Sequence, residues 1–395
     1  MKAALLTVVV LWCTNVAAAF VHPGLLHTNK DFHRIKNMVQ AKKAPWFDGW
    51  NKMLANYHSE LTYKPNPQAN VYRYGATNPP NPSNYGILYN DIAAAYALAI
   101  RWKISGDTAY ANASVSILNS WSSTLTAVGG DSDRFLASGI YGYQFANAAE
   151  LMRDYKGWSK DDVSKFQNMM LNVFYPMNHD FLVYHNNASI SHYWANWDLC
   201  NMASILAIGV LADREDIYNE AIDYFKHGNG NGAIHNALWK TYKSSRAKPR
   251  LAQGQEAGRD QGHSGLDFAM LGAIAQMAYN QGEDLFAYGS NLILAGAEYF
   301  AKYNLGYAVP YSSYQNSDVT QPEISNASRG DIRPSWELLY SHYGVLKRLP
   351  AKYTHKYRNL VRAAGNGSEG GGGNYGPNSG GFDQLGYGTL LYCLE

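Results

Sequence analysis

The sequence predicts an all-α fold, an incomplete (α/α)6–7 toroid of antiparallel helix hairpins in a single domain. Three observations lead there. Apolar residues recur at helical spacing through most of the chain after Asp31, with stretches at 87–104, 140–155, 163–174, 199–211, 217–225, 266–279 and 285–303. Sustained strand-like alternation is nearly absent. A junction pattern recurs as ISGDTAY (104–110), LADREDIY (211–218) and YNQGEDLFAY (279–288). In each, an apolar helix stops at a Gly or Ala-Asp, acidic residues follow, and a Tyr sits in the next helix. Gly suits a helix C-terminus and Asp or Glu the N-terminus that follows, so these junctions are tight αα-hairpins. About a dozen helices give roughly six or seven such pairs, spaced too unevenly for a regular solenoid.

The N-terminus, MKAALLTVVVLWCTNVAAAF, carries one Lys, an apolar run from Ala3 to Cys13 and small residues before Phe20. It predicts a secretory signal at 1–19 followed by one domain at 20–395, and hence an extracellular protein. No later stretch reaches the roughly 18 apolar residues of a membrane span, so no membrane anchor is expected. Four N-x-S sequons, at Asn112, Asn187, Asn326 and Asn366, fit secretion as a glycoprotein. Once the signal is removed, Cys200 and Cys393 remain, either as one disulfide or as two buried thiols. The segment 63–84 is rich in Pro and Asn and reads as a long ordered loop over one face; the Gly-rich segment 365–381 reads as mobile, before a packed terminus.

The formal net charge of +2 lacks the basic excess of a nucleic-acid binder. The 31 Tyr and 10 Trp suit both a helical core and the flat faces of sugars. No C-x-x-C or H-E-x-x-H motif is present, so no metal site is expected, and no Asp-rich loop points to calcium, whose requirement stays open.

Three clusters hold the chemistry-bearing residue types: SISHYWANWDLCN (189–201), QGQEAGRDQGHSGLD (253–267) and NLGYAVPYSSYQNSD (304–318). Together with RPSWELLY and the terminal FDQLGYGTLLY, and in that order along nearly all of the mature chain, they resemble secreted alginate- and glucuronan-type polysaccharide lyases built on an (α/α) toroid. The resemblance implies cleavage of 1,4-linked uronic-acid polymers by β-elimination without an organic cofactor, by an enzyme expected to act as a monomer on an acidic polysaccharide. Such a reaction removes the C5 proton beside a carboxylate and expels O4. It needs donors that neutralise the carboxylate, a base near C5 and an acid near O4.

The resemblance implies a catalytic set of Asn, His, Arg or Glu, and Tyr. Asn196 is assigned as carboxylate neutraliser, against a buried structural amide. His263 either neutralises the carboxylate or helps take the C5 proton, since imidazole changes charge near neutral pH. Tyr314, with Tyr311 second, supplies the proton to O4 and, if ionised, acts as base. Glu256 either orients His263 or shares a proton with the substrate, and Arg259 either contacts substrate or braces its loop through Asp260 or Glu256. His192 and Gln144 are candidate sugar contacts, Trp194 and Trp197 either stack on sugar rings or pack between helices, and Arg333 either binds a neighbouring uronate or caps a helix. Two departures from the family pattern bear on these roles. Ser191-His192-Tyr193-Trp194 stands where relatives carry an Asn-His pair directly before a YW-type motif, and Gly262 stands where some carry a Tyr before the second His. The rival readings are a glycoside hydrolase using two of Asp198, Glu256, Asp260 and Asp267, and a non-catalytic carbohydrate-binding protein.

Overall fold

The computed structural model describes residues 19–76, 78–243, 250–372 and 383–395. Helices dominate it. In chain order they are α1 (Asn29–Gln40), α2 (Trp46–Leu54), α3 (Tyr85–Ser105), α4 (Thr108–Thr124), α5 (Asp133–Met152), α6 (Lys160–Met169), α7 (Tyr175–Tyr184) and α8 (Ala195–Leu211). There follow α9 (Glu215–His227), α10 (Ile234–Ala237), α11 (Gln261–Asn280), α12 (Tyr288–Asn304), α13 (Trp336–Tyr340), α14 (Lys352–Ala364) and α15 (Gly388–Tyr392).

Composition sorts these into two rings. Every residue of α8 is buried, and so is every residue of α5 from Phe135 onward, because both are mostly apolar or small on all sides. In contrast, α9 buries only Ile217, Tyr218, Ala221, Ile222 and Phe225, and α14 only Thr354, Tyr357, Arg358 and Val361, one stripe each. The inner ring runs α3, α5, α8, α11, α13, α15, and α1 joins α15 to α3. Helices α4, α6 with α7, α9, α12 and α14 pack outside their inner partners. Arg34 donates to the Leu391 carbonyl at 2.9 Å and Trp46 Nε1 to that of Cys393 at 3.1 Å, so the two ends of the chain close the ring on each other. Gly139 and Gly142 let α5 approach α8, since a Cβ on either would collide with Cys200 or Ser204.

The three junctions are helix hairpins. Gly106 ends α3 at φ +81, and Asp107 caps α4 by accepting from the Ala109 N–H at 2.9 Å. At the second, Asp213 itself takes the left-handed turn at φ +55. At the third, Asp284 accepts from the Ala287 N–H, but residues 289–291 are left-handed, so the regular part of α12 starts later than the apolar spacing predicts. The 163–174 stretch also differs: α6 passes through a π turn at Met170–Phe174 into α7. There Pro176, in the first turn of α7, has no N–H for the regular ladder.

Among the described residues six short strands form three two-stranded pairs: β1 (Asn70–Arg73) with β2 (Ala127–Gly130) in parallel, and β3 (Lys240–Tyr242) with β4 (Leu251–Gln253) and β5 (Tyr314–Gln315) with β6 (Thr320–Gln321) antiparallel. The segment 63–84 is thus a loop with one strand pinned to the 127–130 edge. Of the expected mobile tract, 373–381 falls outside the described residues, while Ser368 and Glu369 are buried. The expected signal, except for Ala19, also lies outside them. Both cysteines are free and buried, so the thiol alternative holds. Among the described residues no helix is long and apolar enough to cross a membrane.

Candidate active site

Inner helices that run in the same sense present their N-termini at one end of the ring, and the principal cleft opens there. It encloses about 1360 Å³, including space open to solvent. Tyr85 from the first turn of α3, Asp133 from that of α5, Asn196 and Trp197 from α8 and Gln261 and His263 from α11 all line it. Four helix N-termini therefore aim unsatisfied N–H groups and the positive ends of their dipoles at the same space, an environment that favours an anion.

One wall is a continuous polar network. Glu256 is fully buried behind the cleft; its Oε1 accepts from the Asn196 backbone N–H at 2.9 Å and from Asn196 Nδ2 at 2.7 Å. Its Oε2 accepts from Arg259 at 2.8 Å. Asp260 caps α11 by accepting from the His263 N–H at 2.7 Å, and its other oxygen takes the His263 Nδ1–H at 2.7 Å. That bond leaves the Nε2 lone pair as acceptor for Arg259 at 3.2 Å, which fixes the tautomer. Burial alone would push the Asp260 carboxyl up, but the His263 hydrogen bonds and the His263 and Arg259 charges hold it below the ordinary carboxylate range. Arg259 also lies over the Trp194 ring at 4.7 Å.

The opposite wall is aromatic. Tyr85 and Tyr141 stack with centroids 6.2 Å apart, the Arg73 guanidinium lies 5.0 Å from the Tyr85 ring, and Arg73 donates to the Tyr141 hydroxyl at 3.4 Å. Asp133 pairs with Arg73 at 3.7 Å. Burial raises the Tyr141 phenol well above its ordinary value despite Arg73. At the base, Arg333 donates to the Gly262 carbonyl at 3.0 Å and to Asp383 at 2.9 Å. Burial raises the Asp383 carboxyl, against the pull of Arg333 and Arg73.

Asn196, Trp197, Arg259, His263 and Arg333 of the expected site meet around this cleft. Glu256 stands behind it, so the orienting carboxylate for His263 is Asp260, and Glu256 holds Asn196 and Arg259 instead. Tyr314 is buried outside the residues that line the cleft, in hydrogen-bond contact with Gln255 and Asn316 and with its hydroxyl 3.4 Å from Asn231 Oδ1; burial raises its phenol above the ordinary range. Tyr311 donates to the Gln321 carbonyl at 3.0 Å, packs with Leu251, Ala257 and Tyr299, and is pushed by burial up to about 12, a structural setting. His192 pairs with Asp318 at 3.1 Å, outside the residues that line the cleft. Trp197 lies 4.6 Å from Tyr193 and 5.9 Å from Phe181, so its ring is packed between neighbours. Gln144 is buried on α5 and is not among the residues that line the cleft. Arg333 is a clamp between the base of the cleft and the C-terminal segment rather than a helix cap. Of the four acids weighed for a hydrolase, only Asp260 lines the cleft; Asp198 is buried against His185 at 3.0 Å. Arg73, Tyr85, Tyr141, Asp133 and Asp383 are among the lining residues that the sequence reading missed.

The alginate lyase family model matches residues 48–307, about two thirds of the chain, including the first two clusters and the start of the third. The chain belongs to the alginate lyase family. It is therefore a polysaccharide lyase, and its helix-pair ring is the family's toroid. This lyase superposes on the crystal structure of an alginate lyase from Bacteroides ovatus with a TM-score of 0.59 at 13% identity, covering 95% of this chain and 100% of that one. Alginate lyase A1-III from Sphingomonas species A1 gives 0.52 at 14% identity, covering 83% and 90%. At such identity the likeness is one of fold. No curated protein sequence matches this lyase.

Proposed function

We propose that the protein cleaves 1,4-linked uronic-acid polymers by β-elimination, with alginate the first substrate to test and glucuronan the second. The single observation that carries this reading is His263, set on the cleft with its Nδ1–H locked on Asp260 beside Asn196 and Arg259. Asn196 and Arg259 donate to the substrate carboxylate and lower the cost of charge building at C5. As Arg259 turns its N–H from Nε2 of His263 to that carboxylate, the freed Nε2 lone pair takes the C5 proton, the C–H electrons form the C4=C5 double bond, and the C4–O4 bond breaks. The proton for the departing oxygen, which becomes the new reducing end, is assigned to Tyr314, whose buried hydroxyl must turn from Asn231 toward the cleft to deliver it. Burial holds that phenol in its neutral form, which suits an acid and leaves the base duty to His263. These steps need no organic cofactor. The polymer is taken to meet the protein outside the cell: the four sequon asparagines are exposed, as glycosylation during secretion requires.

The test is incubation with polymannuronate, polyguluronate and glucuronan, watched for the near-ultraviolet absorbance of a 4,5-unsaturated uronide. Absorbance from wild type and not from His263→Ala supports the reading. New reducing ends on a neutral glycan, with no absorbance on any uronate, overturn it.

A further inference from the structure

Glu256 gathers three N–H donors, two from Asn196 and one from Arg259, and is wholly buried. A second carboxyl lies against it. Asp267 stands one helical turn beyond His263 on α11, is 4% exposed, and is in hydrogen-bond contact with Glu256. Its Oδ1 has no partner. Two carboxylates in such contact, both out of water, repel and leave lone pairs facing lone pairs. A proton between them removes both penalties. Because Glu256 already accepts from three N–H groups, it is the acceptor, and Asp267 is the group that holds the proton.

We propose that Asp267 is a positioning residue: it stands as the neutral acid, donates its O–H to Glu256, and so fixes the carboxylate that holds Asn196 and Arg259 on the cleft wall. The inference rests on the elimination reading for its kinetic consequence, but not for its protonation. Burial first, then the Glu256 charge and hydrogen bond and the Asp260 charge, raise the Asp267 carboxyl well above its ordinary value, with Arg259 opposing. The titratable groups facing it are Glu256 and Arg259 on the preceding turn and Asp260 at the cap of α11. With a raised folded value, the stability contributed by the proton is full below the ordinary carboxylate range and falls as pH rises through the folded value.

Two measurements test this. In the first, thermal midpoints of wild type and Asp267→Asn are followed from about pH 4, the ordinary carboxylate range, to alkaline pH. An amide keeps an N–H donor toward Glu256 but has no proton to lose, so the wild-type midpoint should fall more steeply than the variant's. Equal slopes overturn the shared proton whatever the substrate proves to be. In the second, kcat on the uronate polymer is compared for Asp267→Asn and Asp267→Ala at neutral pH. The amide should stay within about threefold of wild type and the alanine should lose at least about tenfold, with KM less affected. Equal kcat in wild type and both variants overturns the positioning role. Absence of lyase activity in wild type overturns the elimination reading, and with it the kinetic role, while the thermal comparison still decides the proton.

Discussion

The two walls of the cleft are built from different materials. On the α8–α11 side, Asn196, Arg259, Asp260 and His263 hold one another through short hydrogen bonds backed by the buried Glu256. On the α3–α5 side, Arg73 is set among Tyr85, Tyr141 and Asp133 by longer, looser contacts. A locked network suits groups that must meet a transition state without rearranging, and a broad aromatic face suits holding a sugar in its ground state. Changes on the first wall should therefore appear in kcat and changes on the second in KM.

The largest effect is expected from His263→Ala and Asn196→Ala, each lowering kcat by about 10²–10³-fold with KM little changed in the absorbance assay. Tyr314→Phe should follow at about 10²-fold. The comparison breaks if Tyr141→Phe costs as much kcat as Tyr314→Phe, since the proton donor would then belong to the aromatic wall. Asp260→Asn should lower kcat by about tenfold or more, because the amide no longer selects the Nδ1–H tautomer of His263. Tyr85→Ala should raise KM by about tenfold, or about 1.4 kcal/mol of binding, and leave kcat within about twofold.

The smallest effects are expected in the pH dependence of stability. Asp260 is held low, so its contribution is present above the ordinary carboxylate range and lost as acid carries the pH down through its depressed value. Thermal midpoints of Asp260→Asn should lack that acid-side fall. Far from either wall, His22 contacts Glu150 at 2.6 Å and Asp213 at 3.0 Å; burial lowers it, but these carboxylates raise it further. Its contribution is complete below about 6.5 and lost as pH rises through the raised value, and His22→Gln should flatten that limb.

The hydrogen-bonded wall was largely legible in the sequence, because its parts are local. Glu256, Arg259, Asp260 and His263 lie within eight residues, and the caps at Asp107 and Asp260 are written in the residues they use. The aromatic wall was not. Arg73 comes from a loop read only as a cover, and Tyr85 and Tyr141 are two of 31 tyrosines that only the ring topology brings together. An Arg flanked by Tyr in VYRYG was the available signal. The place of Gln144 was hidden for a similar reason: three residues beyond Tyr141 on α5, it is buried and does not line the cleft. The late start of α12 is local again, since the Gly289-Ser290-Asn291 run favours the left-handed turn that delays it.

The ring closes through α1 at one end of the chain and the five-residue α15 at the other. A ribosome delivers these two pieces in the wrong order for early closure: α1 is made long before α15, and waits for it while the helices between them are made. Until α15 is made, the inner wall of the growing chain is an open arc with apolar flanks. A premature stop that removes the last few residues would therefore spare every side chain named at the cleft and still leave the barrel without its final stave.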